Sequence, residues 1–137
     1  MTESLLAKKL KLKPAQRAAV FHAPDGYLTQ LEPLPEGVEI ADKLSGKFDW
    51  VQVFVMNKAE LGKLLPRLPK VLKPASVLWI SFPKGTSKIQ TDLTRDTAFE
   101  VLKDVDLMFI NLVSVNETWS AFSLRPYKPG EARQAFR

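Results

Sequence analysis

The chain has 137 residues, enough for one domain with a hydrophobic core, and it carries a net charge of +5. It has no cysteine and a single histidine, which excludes disulfides, thiolate metal sites and any site that needs two imidazoles. No apolar run approaches the roughly 20 residues of a membrane span and no signal peptide is recognisable, so we expect a cytoplasmic protein without a membrane partner.

The first half of the chain predicts one short helix, a single helical turn that Asp25 caps and that runs through Leu31, and three strands. A helix over residues 2–10 ends before Pro14, because the residue that precedes a proline disfavours helical geometry. The small apolar run 17–21 is the first strand, and 38–41 offers only a brief second one. Residues 48–56 are rich in β-branched and aromatic side chains and form a strong strand.

The second half begins with a helix start signal, since Asn57 is followed three residues later by Glu60. This helix runs to about residue 72 with a break near Pro66, because proline cannot lie inside a straight helix. The elements that follow are a strand over 77–82, a helix to about residue 104, and a hairpin formed by 107–115 and 119–124.

The run 77–82, Val-Leu-Trp-Ile-Ser-Phe, decides the fold class. It is almost unbrokenly apolar and too short for a helix, which indicates a strand buried on both faces, with helices on both sides of the sheet. We predict an α/β fold with a three-layer Rossmann-like sheet, mostly parallel through 17–21, 48–56 and 77–82, with a C-terminal antiparallel hairpin. Residues 1–125 form the single domain, and 126–137 form a loosely ordered basic tail.

Ligand sites in such sheets lie outside the carboxyl ends of the parallel strands, where the following turns converge. Lys84 follows the core strand beside a glycine and two hydroxyls, which suits a small anionic ligand such as phosphate or carboxylate. The alternative is that Pro83 and Gly85 only form the turn while Lys84 lies in solvent. No motif indicates a catalytic residue or a metal site. The candidate ligand-binding residues are His22, Asp25, Gly26, Tyr27, Asn57, Lys58, Lys84, Gly85, Thr86 and Ser87.

Two features bear on macromolecular partners. The excess of basic residues lies at the chain ends, in 1–17 and 125–137. Solvated arms explain this pattern better than a nucleic-acid surface, which would display its charge on a folded face beside groups that read bases, so nucleic acid is an unfavoured partner. Trp119 directly follows the predicted hairpin turn and is a candidate for a partner surface, with packing in the core as the alternative.

Three stretches carry a resemblance to a known fold. Phe48-Asp49-Trp50-Val51 resembles the fourth strand of the class I S-adenosylmethionine-dependent methyltransferase fold, and residues 77–83 resemble its fifth strand. Leu72-Lys73-Pro74-Ala75 stands where that fold usually has Leu-Lys-Pro-Gly. The resemblance implies a reduced, methyltransferase-like sheet.

A closer resemblance spans roughly residues 5–125 and carries no assigned activity. The chain is similar there to a family of small bacterial proteins of unknown function, through Leu12-Lys13-Pro14, His22-Ala23-Pro24-Asp25-Gly26, Thr91-Asp92-Leu93 and Glu117-Thr118-Trp119-Ser120.

The methyltransferase resemblance also implies a cofactor loop, and here the chain departs from the pattern. Methyltransferases hold S-adenosylmethionine on a glycine-rich loop after strand one, whereas this chain has Ala23, Pro24, Asp25 and one glycine, Gly26. Asp42 stands where they use an acidic side chain to hold the ribose hydroxyls. We therefore expect no cofactor, with S-adenosylmethionine binding weak or absent.

The connection between the second and third strands is also unusual. Only residues 42–47 join them, whereas a parallel crossover needs about a dozen or more, so a helix, a strand and another helix of the usual fold are missing. The sheet edge at 17–21 should then have little cover, and an exposed edge favours a homodimer. The segment 38–41 or the N-terminal helix is the alternative cover.

Three classes of function stay open. The favoured class is a non-catalytic, methyltransferase-like binding or regulatory module. The first alternative is a small transferase-type enzyme that acts on a nucleotide-like or anionic small molecule. The second alternative is a basic nucleic-acid-associated protein, whose binding would weaken steeply with salt.

Overall fold

The computed structural model describes residues 4–84, 92, 94, 97, 100 and 107–132. Six strands in these residues form one sheet: β1 (Arg17–Phe21), β2 (Glu39–Ala41), β3 (Phe48–Phe54), β4 (Leu72–Pro83), β5 (Leu107–Ser114) and β6 (Trp119–Pro126). Their order is β2-β1-β3-β4-β6-β5. The first four strands of that order are parallel, whereas β6 is antiparallel to both β4 and β5. The predicted α/β sheet with its C-terminal hairpin is confirmed.

Three short helices lie entirely within the described residues: α1 (Leu5–Lys9), α2 (Tyr27–Leu31) and α3 (Lys58–Leu64). Two 3₁₀ turns, Leu65–Arg67 and Pro69–Val71, follow α3, and each has a proline near its start, where a missing N–H costs nothing. The break predicted near Pro66 is confirmed. The helix predicted to reach residue 104 lies largely outside the described residues. In the part of the chain that the structure describes, no helix is long and apolar enough to cross a membrane.

The sheet separates two hydrophobic clusters, as the predicted three layers require. On one face, α3 and its turns bury a row of leucines, Leu61, Leu64, Leu65 and Leu68. On the other face, α1 and α2 cover Trp50 and Trp79, which are fully buried. Both indole N–H groups donate to the carbonyl of Leu10, each at 2.7 Å, so the end of α1 is fixed to the centre of the sheet.

The connection between β2 and β3 consists of residues 42–47 alone. The prediction that a helix, a strand and another helix are missing at this point is confirmed, although β2 and β3 both run parallel to β1 and such a crossover usually needs about a dozen residues. Arg17 holds the connection in place. Its guanidinium donates to the carbonyls of Lys47 at 2.8 Å and Ser45 at 3.2 Å, and it lies over the ring of Phe48.

Strand β1 lies inside the sheet, not at its edge. Arg17, Ala18 and Ala19 pair in parallel with Glu39, Ile40 and Ala41 of β2. The expectation of a bare edge at β1 is therefore wrong, and the short segment named as alternative cover supplies the pairing. A homodimer stays a prediction, without the support that an exposed β1 would have given.

Candidate functional site

The carboxyl ends of the four parallel strands lie along one edge of the sheet, which we call the carboxyl edge. β1 is followed by His22, β2 by Asp42, β3 by Val55 and β4 by Lys84. Open α/β sheets bind ligands at this edge, because the turns and helix starts converge there. The side chains predicted for the site belong to these turns.

The turn after β1 has a glycine-like backbone at two positions. His22 has a φ of +59° and Gly26 a φ of +81°, both in the left-handed region that side chains disfavour. A Cβ added at Gly26 would meet nothing within 4 Å, so the space beside this backbone is open. Asp25 and His22 are exposed. The backbone of this turn is therefore accessible to a ligand beside Gly26, although the turn contains only one glycine.

Tyr27 is not available to a ligand. Its side chain is 1% exposed, and its hydroxyl donates to Gln52 Oε1 at 2.6 Å. Gln52 Nε2 donates in turn to Ser81 Oγ at 3.0 Å, so a buried polar chain joins α2, β3 and β4. Burial raises the pKa of Tyr27 well above its ordinary value, which keeps the hydroxyl protonated. The prediction that Tyr27 binds a ligand is wrong, and its role is to anchor α2 and the turn before it.

Asn57 and Lys58 serve the start of α3. Asn57 Oδ1 accepts from the backbone N–H of Glu60 at 3.0 Å, and Glu60 Oε1 accepts from the N–H of Met56 at 2.9 Å. Asn57 caps the helix as the sequence predicts, whereas Glu60 accepts from the residue before the cap and not from the N–H of Asn57 as in a standard capping box. The backbone N–H of Lys58 donates to Asp92 Oδ1 at 2.9 Å. The Oδ1 atom of Asn57 is therefore engaged by the start of the helix, and its role in binding a ligand stays a prediction.

Lys84 ties β4 to the C-terminal hairpin. Its Nζ donates to Ser114 Oγ at 2.5 Å, and its backbone N–H donates to the carbonyl of Thr118 at 2.8 Å. Lys84 is therefore held against the hairpin and does not simply extend into solvent, and its role in an anion site, where an anion would compete with Ser114, stays a prediction. The predicted neighbours at 85–87 lie outside the described residues.

A cavity of about 260 Å³ opens between the turn after β1 and α3. Its apolar lining is Phe21, Val55 and Leu64. Its polar lining is His22, Glu60, Lys63 and Arg67. Of these lining residues, only His22 is among the ligand-binding candidates predicted from the sequence. Residues 60, 63, 64 and 67 are spaced so that they lie on one face of a helix. This spacing is the sequence pattern from which their proximity could have been predicted.

Trp119 packs in the core. It is 5% exposed, and its ring meets Phe54 edge to face with 5.0 Å between the ring centroids. Phe54 meets Tyr27 in the same way at 4.7 Å. The prediction that Trp119 forms a partner surface is wrong, because the hairpin turn directs this ring onto the face that α1 and α2 cover.

The fold is similar to that of solved methyltransferases. A SAM dependent methyltransferase from Aquifex aeolicus matches with a TM-score of 0.60 and 14% identity, over 89% of this chain and 88% of that chain. DhpI in complex with SAH matches with a TM-score of 0.62 and 11% identity, over 88% and 81%. A ribosomal protein L11 methylase from Lactobacillus delbrueckii subsp. bulgaricus matches with a TM-score of 0.55 and 13% identity, over 90% and 76%. This is a class I methyltransferase-like fold.

No protein-family model and no curated protein matches the chain. The structural comparisons nevertheless overturn the expectation that no cofactor is involved, because the matching structures include a SAM dependent methyltransferase and DhpI in complex with SAH. That expectation rested on the number of glycines after β1. His22 has a left-handed φ although it is not a glycine, so the number of glycines does not describe the conformation of this turn.

Proposed function

We propose that this protein is a methyltransferase-like module that binds S-adenosylmethionine or its product S-adenosylhomocysteine at the carboxyl edge, in a binding or regulatory role. The observation that carries the proposal is a pair of features at neighbouring strand ends. The open left-handed turn follows β1, and the exposed carboxylate of Asp42 follows β2. Because β1 and β2 pair in parallel, both features lie at the same edge.

The residues present fit this ligand. The open space beside Gly26 lets the amino-acid part of the cofactor approach the backbone of the turn. The exposed carboxylate of Asp42 accepts hydrogen bonds from the two ribose hydroxyls, the role that methyltransferases give to the acidic residue after strand two. In methyltransferases the bound cofactor supplies a sulfonium methyl group to an acceptor.

A binding role is supported by the exposure of the edge. A transfer site holds the reacting groups away from water, and its acids and bases lie in enclosed surroundings. In the part of the chain that the structure describes, the titratable side chains nearest the two features, His22, Asp25 and Asp42, are all exposed. The adjacent cavity of about 260 Å³ is at the small end for ligand pockets, which leaves little room for an acceptor beside a cofactor.

Titration calorimetry of the full chain with S-adenosylmethionine, S-adenosylhomocysteine and AMP tests the proposal. We expect both S-adenosylmethionine and S-adenosylhomocysteine to bind. D42N should lower both affinities about tenfold, because an amide accepts hydrogen bonds from the ribose less strongly than a carboxylate. The matched control is E39Q, which removes an exposed carboxylate from the other end of β2. Absence of binding, or equal loss in D42N and E39Q, would contradict the proposal.

A second measurement separates binding from catalysis. The full chain is incubated with S-adenosylmethionine and nucleotide or carboxylate acceptors, and S-adenosylhomocysteine is quantified by mass spectrometry. We expect no more product than in buffer alone. Accumulation that requires the protein and an acceptor would replace the binding role by methyl transfer.

A further inference from the structure

We infer that the cavity between the turn after β1 and α3 is a second binding site, which takes a small planar aromatic anion, a carboxylate or a phosphate ester. The cavity shares His22 with the turn used in the cofactor proposal, but its lining does not include Gly26 or Asp42, so substitutions at those positions test the two proposals separately. It rests on an aromatic wall, a pair of cations and a helical face that meets the end of β1.

The aromatic wall is formed by Phe21 and His22. Their rings stack with 3.9 Å between centroids and an angle of 23° between planes. The residue that contributes the imidazole to this stack has a left-handed backbone, with a φ of +59°. Strained backbone of this kind concentrates at functional sites. An exposed imidazole held in a fixed orientation gives a planar ligand a surface on which to stack.

The cations are Lys63 and Arg67, four residues apart on one face of the helix and its following turn. The guanidinium of Arg67 lies 5.4 Å from the centroid of the Phe21 ring, so it is held against the aromatic wall. Glu60, the acidic residue of the lining, already accepts a hydrogen bond from the backbone N–H of Met56. The charge that faces the cavity therefore favours an anion.

The cavity has a simple origin in the fold. The connection 42–47 carries no helix, so the face of β1 beside α3 is left partly open and Phe21 is only half-buried. Val55 and Leu64 form the apolar part of the lining. An apolar pocket with a few convergent charges is the usual form of a small-molecule site. Its volume of about 260 Å³ suits a molecule of one or two rings.

The single histidine of the chain is a specific reporter of this site, because its ring protons give one set of signals in an NMR spectrum. The full chain is titrated with 4-hydroxybenzoate and with AMP, each against its neutral counterpart, 4-hydroxybenzamide and adenosine. We expect at least one anion to shift the His22 signals and to bind about tenfold more tightly than its neutral counterpart. Binding of 4-hydroxybenzoate alone identifies an aromatic carboxylate, and binding of AMP alone identifies a phosphate ester.

Substitutions of Lys63 and Arg67 test whether these two cations bind the anion. R67Q and K63Q should each lower the affinity for the anion several-fold. The loss should be about tenfold for R67Q if the guanidinium pairs with two oxygens of the anion. The matched control K70Q removes an exposed lysine of the next turn, outside the cavity lining, and should change the dissociation constant less than about twofold. D42N should retain the anion, which separates this site from the cofactor site.

The inference is overturned if neither anion shifts the His22 signals at concentrations up to about 10 mM, a limit weaker than specific small-molecule binding. It is also overturned if the neutral compounds bind as tightly as the anions, or if R67Q and K63Q bind like the parent protein while their melting temperatures are unchanged. If both variants are unstable, H22G provides the test, because it removes the stacking imidazole and leaves both cations in place. An affinity for the anion that is unchanged in H22G would also overturn the inference.

Discussion

Tyr27 donates its buried hydroxyl to the side chain of Gln52 at 2.6 Å, and this bond joins the helix after the first turn to the middle of the sheet. The two residues are 25 positions apart in the chain. The bond matters for the candidate site because the turn 22–26 ends where Tyr27 begins α2. The open turn is therefore held by an interaction in the core.

The first prediction concerns this bond. Y27F leaves Gln52 with an unsatisfied buried acceptor, so we expect a loss of about 1–3 kcal/mol in the free energy of unfolding, measured by urea denaturation. The double variant Y27F/Q52M removes both partners and should be more stable than the sum of the single losses predicts. Strict additivity of the two single effects would show that the bond contributes nothing.

The second prediction concerns the attachment of α1. W79F removes one of the two indole donors to Leu10 and part of a fully buried ring, so we expect a loss of about 2–3 kcal/mol and faster amide exchange in α1. The control is W119F, a change of equal size in the same cluster at a residue that makes no bond to Leu10. Equal acceleration of α1 exchange in both variants would contradict the attachment.

The third prediction separates backbone strain from ligand contact. H22G should raise the free energy of unfolding by about 0.5–1 kcal/mol, because glycine relieves the left-handed strain but adds freedom to the unfolded chain. A15G is the matched control, since Ala15 has a φ of +63° and lies outside the cavity lining. Both variants should melt higher, and only H22G should lose the aromatic anion. A lower melting temperature in both would refute the account of the strain.

The fourth prediction concerns pH and the end of the described chain. Hydrogen bonds from Arg125, at 2.9 and 2.8 Å, and from the backbone of Lys128 lower the pKa of Glu131 from 4.5 to about 2. Because the folded pKa is depressed, the contribution of this pair is complete above pH 4.5 and is lost as pH falls through about 2.

The test is an NMR titration of the Glu131 carboxyl carbon, with a predicted midpoint near 2. The stability difference between the parent protein and E131Q should be constant from pH 7 to 5 and shrink below about 4.5. A midpoint near the ordinary value of 4.5 would mean that the pair does not persist in solution.

The strands were predictable because each depends on a local pattern. The apolar run 77–82 and the break at Pro66 follow from neighbouring residues alone, and the parallel order follows from the fold class that they define. The methyltransferase-like fold was predictable from three short stretches. The capping of α3 by Asn57 is equally local, because it follows from the asparagine that precedes the helix.

The candidate site was harder to predict because its properties depend on distant contacts. Nothing near Tyr27 in the sequence indicates that its hydroxyl is satisfied by Gln52, so an aromatic residue after a turn resembles a ligand residue. The cavity depends on which face of α3 meets Phe21 and on a connection too short to cover β1. The glycine-like conformation of His22 is a property of the backbone that composition does not reveal.

The most direct test of the cofactor proposal is an amide NMR map of the full, isotope-labelled chain with S-adenosylhomocysteine added. We expect the largest shifts at Ala23, Asp25, Gly26 and Asp42, and we expect D42N to reduce them at matched ligand concentration. Shifts confined to the opposite end of the strands, at Arg17 and Asp49, or no shifts at millimolar ligand, would contradict a cofactor site at the carboxyl edge.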